Sequence, residues 1–183
     1  MLCDSSCAVD APAYPSSGGC GVTTRKGGIS RIIIMRCDKE FTDITDLEEW
    51  TTKITANEVH ASGLILGSKP KGSFEKKKVA SCLPELPVSG SKQIDFSDYN
   101  ADETNFGEYT FWNTIMSNQG RYKIAYLTCD GLLYGFYDTF TAEVDDEVEE
   151  DSKGNTYIGG SVFFEGLAMT VPQKIAGLVS VLG

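Results

Sequence analysis

The pair Asp130-Gly131 separates two alternating apolar runs, Tyr122-Lys-Ile-Ala-Tyr-Leu-Thr-Cys129 and Leu132-Leu-Tyr-Gly-Phe-Tyr-Asp-Thr139, and no other stretch restricts the fold as strongly. Asp-Gly takes positive φ readily, so it predicts a two-residue type I′ turn between antiparallel strands. Pairing Cys129 with Leu132 across that turn sets Leu127 opposite Tyr134, Ala125 opposite Phe136 and Lys123 opposite Asp138. One face of the hairpin is then apolar, and its open end closes with an ion pair. A chain built round this unit is expected to be mainly β.

The rest of the chain agrees. Ile32-Ile33-Ile34-Met35, bracketed by Arg31 and Arg36, has the short β-branched pattern of a buried strand. Strands are predicted at 60–67, 72–80 and 91–97, with Lys69-Pro-Lys-Gly72 as a turn and Leu83-Pro-Glu-Leu-Pro87 as a loop. The run Lys76-Lys77-Lys78 offers a phosphate contact, but it fits better as the protected edge of a sheet. A second, longer hairpin is predicted from Phe140–Glu150 through a turn at Asp151–Asn155 to Thr156–Met169, where Gly159-Gly160 predicts a bend or bulge.

Two short helices interrupt the strands. Thr45-Asp-Leu-Glu48 reads as a capping box opening a helix over 46–55, with Leu47, Trp50 and Ile54 on one face. Asn105 and Glu108 predict a second box and a helix over 106–117, packed by Phe111, Trp112, Ile115 and Met116 and ended at Gly120. Residues 1–28, rich in Cys, Ser, Pro and Gly, read as an extended arm ahead of a single β domain over 29–183. A chain of 183 residues can bury a core without help from metals or disulfides.

Charge narrows the function. The formal net charge is −10, so the surface as a whole repels nucleic acid and anionic membranes. No run approaches the roughly 18 apolar residues of a membrane span, and the start of the chain lacks the basic and apolar regions of a secretory signal. Synthesis and folding in a cytoplasm are expected. Four of six cysteines, Cys3, Cys7, Cys20 and Cys37, lie in the first fifth of the chain. They are the thiols a zinc ion would use, but Cys3 and Cys7 form the only close pair, where a structural zinc site normally has two. Reduced thiols, or a disulfide formed outside the cell, are the other readings. No metal or other cofactor is expected.

Catalytic patterns are lacking. His60, the single histidine, shares a strand face with Ser62 but has no nucleophile elbow or oxyanion hole beside it. The run Glu143–Asp151 holds seven carboxylates in nine residues, without the glycine and terminal glutamate spacing of a calcium loop. The chain is not expected to be an enzyme.

Gly27-Gly-Ile-Ser-Arg-Ile-Ile-Ile34 followed by Asp43-Ile-Thr45 resembles the start of structural proteins from tailed bacteriophages of Bacteroidota, the crAss-like group among them. Phe111-Trp-Asn-Thr-Ile-Met-Ser-Asn118, Arg121-Tyr-Lys-Ile-Ala-Tyr-Leu127 and Asp130-Gly-Leu-Leu-Tyr-Gly135 are similar to a helix–hairpin module in their tail and ring proteins. The resemblance runs from about residue 18 to 170. It implies a tail-tube-like fold, a β-sandwich or partly closed barrel with short helices and a long hairpin that joins neighbours into an inner barrel. It also implies homo-oligomeric rings of six or twelve subunits in the virion tail, with portal, ring and tail proteins as neighbours and no membrane.

Double-stranded DNA would then be a molecule in passage only. Asp145, Asp146, Glu147, Glu149 and Glu150 are the candidate lining of its conduit, because a carboxylate wall does not hold phosphate. The competing reading of this run is a solvated loop that adds solubility. A receptor-binding or adhesion module of a virion is the alternative function, and a small hydrolase a further one.

Overall fold

A computed structural model of the chain describes residues 27–78, 85–100, 106–148, 156–166 and 168–183. The proposed arm up to residue 26, the turn at 151–155, Glu149, Glu150 and the cap residue Asn105 lie outside the described residues.

The strand-forming runs assemble into one ten-stranded antiparallel sheet that does not close. Its strands are β1 (Ile29–Arg36), β2 (Val59–Ala61), β3 (Leu66–Ser68), β4 (Ser73–Lys78), β5 (Glu85–Asp98), β6 (Tyr122–Thr128), β7 (Leu132–Tyr137), β8 (Phe140–Glu147), β9 (Tyr157–Glu165) and β10 (Gln173–Lys174). The order along the sheet is β10-β7-β6-β1-β3-β5-β9-β8, with β2 added to β1 and β4 to β5. Among the described residues there are three short helices: α1 (Leu47–Thr55), α2 (Gly107–Ser117) and α3 (Leu178–Val181).

The isoleucine-rich run of β1 is buried on both faces, which explains its lack of alternation. Ile32 and Ile34 join one core with Ile124 and Tyr126 of β6, Ile94 and Phe96 of β5, and Val162 of β9. The two halves of the sheet therefore face each other across this cluster, and Trp112 and Ile115 of α2 pack into it. Ile33 and Met35 point the other way, into a second core with Trp50 of α1, Leu133 of β7 and Leu178 of α3. Among the described residues, no such second layer covers the half formed by β5, β9 and β8.

Several sequence expectations need correction. The hairpin after Tyr122 is closed by a three-residue loop, with Gly131 N–H donating to Thr128 O at 2.9 Å and only Gly131 at positive φ (+77°). This is a type I turn followed by a left-handed glycine rather than a type I′ pair. The register moves by one residue, so Leu127 faces Leu133 and Tyr126 faces Tyr134. Leu127 and Tyr134 thus belong to different faces. A shift between Ile124 and Ala125 restores the expected pairing beyond it, and the Lys123–Asp138 ion pair forms at 3.5 Å as expected.

At α1 the cap is Asp46 rather than Thr45, because the Asp46 carboxylate accepts from Glu48 N at 2.9 Å. The carboxylate that reaches back is Glu49, accepting from Thr42 N and Asp43 N. At α2 the cap is Phe106, with no side-chain hydrogen bond, while Glu108 leaves one carboxylate oxygen buried without a partner. The strand expected over 60–67 divides into β2 and β3, which pair with β1 and β5 respectively. The strand expected from 91 begins at Glu85 and takes in the end of the expected loop; Pro87 is accommodated where the β4–β5 register shifts.

Candidate functional site

Charge is distributed unevenly along β5, the longest strand. Its first residues pair only with β4, since β9 begins its pairing at Ser91. A two-stranded ribbon therefore projects from the sheet, with every residue of β4 and the first four of β5 exposed. Lys76, Lys77 and Lys78 lie on it, and Lys69 and Lys71 at its base, against Glu75 and Glu85. The same ribbon exposes Phe74, Leu86 and Val88 at 44%, 47% and 46%. Its position on the sheet margin agrees with the expected role of the lysines as edge protection.

The acidic limb lies at the opposite end. Register places Asp98 of β5 beside Ile158 of β9, and Ile158 beside Asp146 of β8. From the Lys78–Glu85 pair to Asp98 the strand covers roughly 40 Å at the usual rise per residue. Alternation along β8 buries Phe140 and Ala142 and leaves Thr141, Glu143, Asp145 and Glu147 on the uncovered side. Asp145 and Glu147 thus share a face with Glu143, whereas Asp146 belongs to the face turned toward α2. Structure brings together two of the five proposed conduit residues, separates a third, and does not describe Glu149 and Glu150.

The uncovered side forms a shallow concavity of about 630 Å³ lined by Glu143, Asp145, Glu147, Tyr157 and Ser161. The Tyr157 hydroxyl donates to Glu147, and Ser161 Oγ donates to Asp95 Oδ1 at 2.6 Å. Gly159 and Gly160 produce no bulge: β9 keeps register with both neighbours through them. Gly160 serves a close approach, because a Cβ there would stand 2.7 Å from Glu143 O and 3.1 Å from the Phe96 ring.

Among the described residues β8 ends the sheet and leaves one edge open. Gln119 covers the start of that edge by donating to Ala142 O at 2.9 Å. The acidic stretch from Val144 to Glu147 is the part nearest the limb's end, and a charged edge resists indiscriminate pairing.

The histidine–serine pair considered for hydrolysis is not assembled. Ser62 is buried, with its hydroxyl accepting from Ile32 N at 3.0 Å and donating to Gly63 O at 2.9 Å. His60 is exposed and lines a separate cavity of about 460 Å³ with Arg36, Glu58 and Tyr122. Glu58 is engaged by Lys39 and Lys53, and the Lys39 hydrogen bond holds its carboxyl below the usual range. Among the described residues no three ligating side chains converge on a metal position. Cys37 is exposed, and Cys3, Cys7 and Cys20 lie outside the described residues. No described helix is long and apolar enough to cross a membrane.

What the fold defines is a mainly β protein with an open antiparallel sheet, polarised in charge along its longest strand. No family model matches the chain, and no curated protein or solved structure was found similar to it.

Proposed function

We propose that the chain is a virion structural subunit that associates head to tail into a ring, forming part of a tailed-phage conduit for double-stranded DNA. The observation that carries this reading is the basic ribbon at one end of β5 and the acidic open edge at the other. Surfaces that differ and complement each other make a heterologous contact, which closes into a ring when the rotation between copies allows it. A two-stranded ribbon is marginal in water alone, so a neighbour that completes it lowers the free energy of both. Phe74, Leu86 and Val88 supply apolar area for that contact.

The uncovered face of Glu143, Asp145 and Glu147 remains available to line a channel, where carboxylates repel phosphate. Asp146, on the other side of β8, is placed to meet lysines of a neighbour.

Charge exchange tests the reading. The full chain is expected to give multimers by light scattering and rings in negative stain, more readily at low salt. Lys76, Lys77 and Lys78 changed together to Glu should abolish the rings, and Asp146→Lys added should restore them in part. Exposed charges contribute at most about 1 kcal/mol each to stability, so the isolated subunits should remain folded. A wild-type chain that stays monomeric throughout, or a lysine variant that assembles normally, would overturn the proposal.

A further inference from the structure

The core between the two sheet halves opens into a further cavity, of about 390 Å³, with an aromatic wall. Tyr126 and Tyr134 are stacked with centroids 4.9 Å apart and planes 5° apart, and Tyr137 packs on Phe164 at 4.1 Å. The Tyr137 hydroxyl lies 2.7 Å from Thr170 Oγ1 and also meets the Tyr126 hydroxyl. Burial pushes both phenols up, so they are neutral hydrogen-bonding groups at neutral pH.

Two cations face this wall. Lys92 is only 7% exposed, and its ammonium donates to the carbonyl of Ala168. Lys69, an exposed residue, stands on the same cavity, and partial desolvation, followed by the nearby Lys92 charge, lowers its affinity for a proton. Among the described residues no carboxylate forms an ion pair with either lysine. Among the described residues the Lys92 ammonium donates to one carbonyl only, so it keeps donor capacity for an anion in the cavity.

We propose that this cavity binds a small aromatic carboxylate, its anionic group between Lys69 and Lys92 and its ring against the tyrosine wall. The volume is in the range of small-molecule sites, which combine an apolar lining with a few convergent polar groups. Exposed Met169 and Val171, at 92% and 82%, lie on the segment that borders the cavity and gain a partner when it is filled. The aromatic wall favours a ring-bearing anion over a fully hydrated one such as phosphate. Nothing in this assignment depends on ring assembly.

Titration calorimetry of the full chain with benzoate, its neutral analogue benzamide and inorganic phosphate tests it. Benzoate should bind saturably and at least about tenfold more tightly than either of the others, the scale of one charge-assisted hydrogen bond. Lys69→Met, at an exposed position, should weaken benzoate roughly tenfold and leave benzamide unchanged. Lys92→Met should do the same, with circular dichroism confirming that it folds. Equal binding of benzoate and benzamide, tighter binding of phosphate, or no saturable binding of benzoate would overturn the assignment.

Discussion

Trp112 donates its indole Nε1–H to Asp98 Oδ2 at 2.9 Å, joining α2 to the end of β5 in a site where both residues are at most 2% exposed. The indole also stacks on Phe96, with ring centroids 4.4 Å apart. Asn100 adds two further donors to the carboxylate, its backbone N–H to Oδ1 at 3.1 Å and its side-chain amide to the same oxygen. Asp98→Ala leaves the indole N–H buried without an acceptor and should cost about 2–4 kcal/mol. Asp98→Asn keeps an acceptor oxygen and should cost less. Urea unfolding checks this order, and equal stability of wild type and Asp98→Ala would contradict it.

Gly131 is at φ +77°, and a Cβ there would meet nothing nearer than Val179 Cγ2 at 4.0 Å. The penalty for a side chain is therefore backbone strain rather than crowding. Gly131→Val should destabilise by about 1–3 kcal/mol, and Gly131→Asn by clearly less, because asparagine tolerates the left-handed region. Thermal melts of the two variants should separate them; identical melts would reject the left-handed turn.

At Gly160 the reason is space. An alanine Cβ would press on the Glu143 carbonyl, the Val144 side chain and the Phe96 ring, and the resulting overpacking should cost about 1–3 kcal/mol. Phe96→Leu in the same chain should recover part of the loss by removing one of the three obstacles. No recovery in the double variant would mean that the Phe96 ring does not contribute and that the Glu143 carbonyl and Val144 decide the penalty.

Glu49 has its carboxyl held below the ordinary 4.5, first by the backbone N–H groups of Asp43 and Thr42 and then by Lys53. A lowered folded value means that this carboxylate's stabilisation is present above 4.5 and is lost as pH falls through the folded value. Glu49→Gln should therefore reduce stability at pH 7 and make stability less dependent on pH below 4.5. Unfolding measured across that acid range is the check, and an unchanged slope would count against the bond to the 42–43 backbone.

Local chemistry made much of this fold legible. The isoleucine run, the apolar spacing of Trp50 and of Trp112 with Ile115, and the alternation through Phe140 and Ala142 each reflect a period that a short segment imposes by itself. The mainly β class, both longer helices and the acidic limb follow from such periods. Alternation also dictated that Asp145 and Glu147 share a face and that Asp146 does not.

Tertiary structure decided what no local period encodes. Asp130-Gly131 is compatible with two turn types; the choice fell to the one that sends Leu127 and Leu133 into the second core and stacks Tyr126 on Tyr134 in the first. Gly159-Gly160 announced a special backbone, but only the position of Phe96 across the strand pair shows that close packing rather than a bulge is its use. Lys69 and Lys92 are 23 residues apart in the chain and share a cavity with Tyr126, Tyr134 and Tyr137 because β5 and β6 belong to opposite halves of a sheet that faces itself. Periodicity fixes which face of its own element a side chain takes, whereas the partner across that face is set by long-range burial, where displacing one register moves every side chain to the other side.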